Sequence, residues 1–161
     1  MKDSSRPVIL GIDPGSRRVG FGVVRNAAEE LQFIDAGTLE IKIKDNAGAL
    51  RAIRDGTRRL INRYHPRVIA VERLFFSKNR RTALPVAEAR GVILLVASEA
   101  NAATLEFTPN EVKMGVTGHG SASKTAVAKM VRLILKKPDL SVVDDATDAL
   151  ALAICACSAR R

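Results

Sequence analysis

Four carboxylates stand at the ends of apolar segments. Asp13 closes the run Val8 to Ile12 and is followed at once by Pro14-Gly15, while Glu72 closes a second run, Arg67 to Val71 (RVIAV). Asp145 and Asp148 open an apolar helical stretch, and their i, i+3 spacing sets both on one face of a first turn, where the helix dipole favours the ionised form. A charge at the end of a buried strand costs free energy unless it is paired or neutralised. If the two strands are neighbours, Asp13 and Glu72 end side by side, and a helix packed over the sheet delivers its acids to the same spot. Three or four carboxylates without His or Cys make a hard oxygen site suited to Mg²⁺ or Mn²⁺. Two such ions activate a water and stabilise the leaving oxygen of an in-line phosphodiester displacement. Each acid also has a plainer reading. An Asp before Pro-Gly is more often a turn residue, Asp144, Asp145 and Asp148 suit ordinary N-capping, and Glu72 could pair with Arg73 or Arg90. The set is more specific than its members.

The cations around these acids point the same way. Lys and Arg number 26 against 17 Asp and Glu, a formal charge of +9 with a pI near 10.2. Such a balance suits a polyanionic partner, nucleic acid before anionic membrane. A compact acidic site in so basic a chain makes sense if metal neutralises the acids while cations hold a phosphate backbone. Length and composition fit one ordered domain over residues 1–161, able to bury roughly 70% of its unfolded surface, and 47% hydrophobic content argues against disorder. The apolar run Val92 to Ala97 is too short to cross a bilayer. MKDSSRP lacks the apolar core of a signal peptide, so a cytoplasmic location is expected. Cys155 and Cys157 read as reduced packing residues.

The elements that must position the acids follow from periodicity. Val8 to Ile12 and Val19 to Val24 read as a hairpin, and Leu31 to Ile43 as a third strand. Ala47 to Tyr64 is amphipathic; its polar face, with Arg51, Arg54, Arg58, Arg59 and Arg63, reads as solvated. Pro66 ends it before the Glu72 strand. A loop, Arg73 to Arg81, mixes two Phe with cations. Thr82 to Ala100 is expected as a helix capped by Thr82, apolar all round at Val92 to Ala97, and therefore covered on two sides. Thr104 to Phe107 is a fifth strand, and Thr108-Pro109-Asn110-Glu111 is a capping box. A short helix breaks at Gly115 to Gly120, another begins near Ser121, and the last starts near Asp144. The order βββαβαβαα predicts an α/β fold: a three-strand antiparallel meander plus two crossover strands in a mixed five-stranded sheet flanked by helices.

Five segments carry a family resemblance: ILGIDPGSRRVGFGVV, VIAVERLFFSKN, ALPVAEARGV, NEVKMGVTGHGSASK and DDATDALALAI, in order and spanning nearly the whole chain. They resemble the RuvC family of Holliday-junction endonucleases, within the RNase H-like superfamily. The resemblance implies metal ligation by Asp13, Glu72, Asp145 and Asp148; it selects Asp145 over Asp144 because Asp145 keeps the Asp-x-x-Asp spacing. It implies a Mg²⁺- or Mn²⁺-dependent endonuclease, with two ions per site, that makes paired cuts in a four-way junction during recombination and repair. It also implies a homodimer through the helix around residues 82–100, working beside a RuvA–RuvB branch-migration complex. Two-fold protein symmetry then matches two-fold substrate symmetry. Lys113 and Lys124 match basic residues used near the scissile phosphate, and Phe75 matches an aromatic that stacks on or wedges between bases. Lys78, Arg80 and Arg81, with Arg17 and Arg18, are unranked phosphate contacts.

Rival classes have discriminating features. GHGSASKT nearly fits a phosphate loop, but Ser123 replaces the second Gly and no strand precedes it. An actin-like ATPase begins with a similar strand, Asp and Gly, yet needs two large lobes. A catalytically silent junction-binding module would not need all four acids. A related RNase H-like nuclease of other substrate preference would lack the long match through Glu72 to Phe76.

Overall fold

Alternation decides which way each strand faces. The computed structural model describes residues 6–27, 30–74 and 80–159, without the side chains of Arg80 and Thr82. Strands β1 (Val8–Asp13), β2 (Arg18–Ala27) and β3 (Glu30–Glu40) form the antiparallel meander. β4 (Val68–Glu72) and β5 (Ala103–Phe107) add in parallel to the other side of β1, giving the order β3-β2-β1-β4-β5. Five helices complete the chain: α1 (Asn46–Tyr64), α2 (Arg80–Glu99), α3 (Pro109–Thr117), α4 (Lys124–Ile134) and α5 (Asp144–Ser158).

The sheet separates two cores. Leu10, Ile12, Val19, Val23, Ile69 and Val71 pack with α1 and α2 on one side. Ile9, Val24, Val68 and Ala70 pack with α3, α4 and α5 on the other. Strand side chains alternate faces, so Asp13, two positions beyond Gly11, and Glu72, two beyond Ala70, belong to the α5 side.

α5 comes unusually close to the sheet because strand glycines meet it. A Cβ on Gly22 would stand 2.6 Å from Leu150 N, and one on Gly20 would stand 2.9 Å from Asp145 Cβ and nearer still to its carbonyl. Gly11 meets the Ala149 carbonyl in the same way. These three positions require the absence of a side chain, and they set the depth at which α5 lies. From Ala149 to Cys157 α5 is buried on every side, beneath the sheet and α3 and α4.

Several ends differ from expectation. β3 stops at Glu40, although Ile41 stays buried. α2 begins at Arg80, so Arg80 and Arg81 are helical rather than loop residues and Thr82 lies inside the helix instead of capping it. Arginine is a good helix former, which accounts for the earlier start; Pro85 then falls just past the first turn. Ser123 caps α4, leaving Lys124 as its first residue, and the capping box at Thr108 and Glu111 is present as read. No helix among the described residues is long and apolar enough to cross a membrane.

Candidate metal and nucleic-acid site

The strand ends supply the first two acids. Ile12 pairs with Val71 in the parallel β1–β4 ladder, so Asp13 and Glu72 close adjacent strands at the same level. Their shared α5-facing parity puts both carboxylates on one face. α5 supplies the others from above. Its N-cap is Val143, with no side-chain cap bond, so Asp144 and Asp145 are helical first-turn residues rather than caps. Glycine at positions 20 and 22 is what lets that turn reach the strand ends.

The electrostatics record the assembly. Burial, followed by the charges of Glu72, Asp148 and Asp145, pushes Asp13 up to about 7. Burial and then Asp148 raise Glu72. Burial also raises Asp148, against the pull of Lys124. Asp144 is exposed and acts on Asp148 and Lys124, whereas Asp145 acts on Asp13 itself. Of the two first-turn acids, Asp145 is thus the one turned toward the strand ends.

Cations pair with two of the α5 acids, Asp148 and Asp145. Lys124 Nζ lies 3.4 Å from Asp148 Oδ2, and Asp148 in turn raises the pKa of Lys124. Arg18 Nε donates to Asp145 Oδ2. Among the described residues no three His, Cys, Asp or Glu side chains close into a ready-made metal cage. The donor set nevertheless fits a hard divalent cation. It is all carboxylate, and mutual repulsion plus burial leave its central member proton-seeking until positive charge arrives.

A cavity of about 240 Å³ opens beside the acids, lined by Glu72, Lys113, Lys124, Asp148 and the apolar walls Val112, Val127, Ala151 and Leu152. The structure therefore sets Glu72, Asp148, Lys113 and Lys124 around one cavity, with Asp13 and Asp145 beside it and within electrostatic reach of one another. Arg81 is exposed on α2, and Arg80 is placed only as a helix residue. Phe75 and Lys78 lie outside the described residues. Arg17 donates to the carbonyls of Ile43 and Lys44, at 2.9 Å for the latter, and so ties the β1–β2 turn to the approach of α1. Arg90, one of the two arginines considered as partners for Glu72, donates from Nε to the Glu72 carbonyl at 3.0 Å rather than to its carboxylate, while its other end pairs with Glu106, which Arg73 also approaches at 4.0 Å. Sequence reasoning left Arg18 unranked. Strand parity was the available signal for Arg18, since it shares a face with Gly20 and Gly22.

Comparison with known proteins shows the family and the fold. The family model described as "Crossover junction endodeoxyribonuclease RuvC" matches residues 9–156. A protein of that description from Pseudothermotoga lettingae is 40% identical over 154 residues, covering 95% of each chain. The Thermus thermophilus RuvC structure superposes with a TM-score of 0.85 at 32% identity over 95% of each chain. T. thermophilus RuvC in complex with Holliday junction substrate gives a TM-score of 0.88 at 32% identity, over 96% of this chain and 95% of that one. The chain belongs to the RuvC family of crossover junction endodeoxyribonucleases.

Proposed function

We propose that this protein resolves four-way DNA junctions by metal-dependent hydrolysis of phosphodiester bonds. What supports the reading is one end of the sheet where Asp13 and Glu72 close adjacent strands and the first turn of α5 approaches them, beside a cavity lined by Glu72, Asp148, Lys113 and Lys124. Asp13, Glu72, Asp145 and Asp148 would hold divalent metal, Mg²⁺ first. When bound, that metal supplies charge neutralisation at the phosphate and a more acidic water.

The remaining steps belong to the chain. Lys124 is kept protonated by Asp148, so it serves as a fixed positive charge toward the phosphate and the leaving oxygen rather than as a base. Its place at the start of α4 adds the N-terminal end of a helix to the anion site. Lys113 acts from α3, whose angle is set by the Thr108–Glu111 capping box and Pro109. The apolar walls of the cavity thin out water and strengthen these charges.

A paired cut needs a second copy of the chain. α2 offers the surface: Ile93, Val96 and Ala97 face the domain's own core, while Leu84 is 66% and Leu95 57% exposed. Leu84, Gly91 and Leu95 recur at helical spacing on that outer face, which suits an isologous helix-to-helix contact.

The decisive assay presents a synthetic four-way junction with a metal series, alongside linear duplex and an RNA–DNA hybrid. Symmetric cleavage of the junction alone is expected. Binding without cleavage would make the protein a silent junction binder, and faster cutting of the hybrid would reassign its substrate.

A further inference from the structure

β2 presents three positions to α5 in sequence: Arg18, Gly20 and Gly22. The two glycines admit the helix; the arginine is the one member of the row with a side chain, and it stands where α5 begins. Its Nε donates to Asp145 Oδ2, with the arginine side chain 49% exposed and the aspartate 26%. The Nη groups have no partner among the described residues. Across the site, Lys124 pairs with Asp148. The two α5 acids are thus gripped from opposite flanks by cations on different elements.

We propose that Arg18 is a positioning residue that competes with divalent metal for Asp145 and turns to a DNA phosphate when it is displaced. The inference rests on reading Asp145 as a metal ligand. A guanidinium at hydrogen-bond distance from a carboxylate both occupies a lone pair and repels an incoming dication. The unpartnered Nη donors form the fork that matches phosphate oxygens. A phosphate that draws Arg18 away frees Asp145 for metal, and metal that displaces Arg18 frees the fork for phosphate. Linkage then requires each ligand to tighten the other by the same factor. Arg18 differs in this from Lys124, which lines the phosphate cavity itself.

The test measures Mn²⁺ binding to the full chain by titration calorimetry, without DNA, for wild type, Arg18→Gln and Arg18→Lys. Junction binding in chelator is measured in parallel. Arg18→Gln is expected to bind Mn²⁺ about fivefold tighter than wild type, the effect of removing one partly exposed charge beside a dication. It is also expected to bind the junction more weakly in chelator. Arg18→Lys keeps the charge and should remain near wild type for Mn²⁺, which a purely structural role of Arg18 would not produce. Equal Mn²⁺ affinity in wild type and Arg18→Gln, both folded by thermal melting, would overturn the inference alone. Absence of Mn²⁺ binding by wild type would overturn the metal-site reading and the inference together.

Discussion

The two faces of the sheet solve different problems. Toward α1 and α2 the strands present Leu10, Ile12, Val19, Val23, Ile69 and Val71, bulky side chains that fill an ordinary core. Toward α5 the same strands present Gly11, Gly20 and Gly22, so backbone meets backbone and the helix sinks until its first-turn acids reach the strand ends. One face gains stability from apolar volume; the other gives some of that up for closeness. The lesson is that the site depends on how near α5 lies, not only on which residues it carries.

The contrast can be broken in graded steps. Asp13→Asn should have the largest effect. Removing a proposed ligand of a metal worth several kcal/mol of transition-state stabilisation should cut the rate about a thousandfold or more, with junction binding retained. A single-turnover assay decides it; undiminished cleavage would refute the role. The same change should stabilise the metal-free protein at high pH. Asp13 rises from 3.8 to about 7 on folding, so the folded state holds its proton more tightly than the unfolded chain does. Its stability contribution is complete below the unfolded value and is lost as pH climbs through about 7. Urea midpoints in chelator should therefore fall across that window for wild type, and less steeply for Asp13→Asn. Added Mg²⁺ should oppose the fall, and a flat wild-type profile would contradict the burial of the acid.

Next comes a paired substitution across the sheet. Gly20→Ala drives a methyl into the Asp145 backbone and should cost on the order of 3 kcal/mol while weakening metal binding. Leu10→Ala empties core on the far face and should cost a similar amount, about 2–5 kcal/mol. Yet its folded fraction should bind metal like wild type. Mn²⁺ titrations on stability-matched samples separate the two, and equal metal affinity would erase the distinction between the faces. Leu95→Arg, on the outer side of α2, should leave the stability within about 0.5 kcal/mol of wild type but disperse the proposed dimer in sedimentation. An unchanged sedimentation coefficient would place the second copy elsewhere. Last comes Thr57, fully buried in α1, whose hydroxyl has no hydrogen-bond partner among the described residues. Thr57→Val should stabilise by about 1 kcal/mol in urea unfolding, and a loss of stability would show that the hydroxyl is satisfied.

Much of this was legible before any coordinates. Strand alternation and the run-then-acid pattern singled out Asp13 and Glu72, because local periodicity is written directly into residue order, whereas the choice of Asp145 over Asp144 rested on the family resemblance. The capping box at Thr108 was equally plain. Arg18 was not, since an arginine in a turn-flanking position looks the same whether it meets solvent or a carboxylate 127 residues away. Arg90 was legible as a neighbour of Glu72, but not its second partner, Glu106, which lies on β5. The start of α2 was misplaced because Thr82 carries a strong cap signal that the helix overrides. α2 and α5 also look alike as apolar helices, and only packing reveals that α5 is enclosed while α2 keeps Leu84 and Leu95 outward.

Cys155 gives the molecule an internal gauge of its own opening. Its Sγ lies 3.5 Å from the Val112 carbonyl, beneath the helix that carries Lys113, and a Cβ on Gly115 would stand 2.7 Å from it. Burial, reinforced by Glu111, pushes the thiol up to about 11. At neutral pH almost no reactive thiolate exists while α3 stays seated on α5. The rate at which an alkylating reagent marks Cys155 therefore reads how often that seam parts.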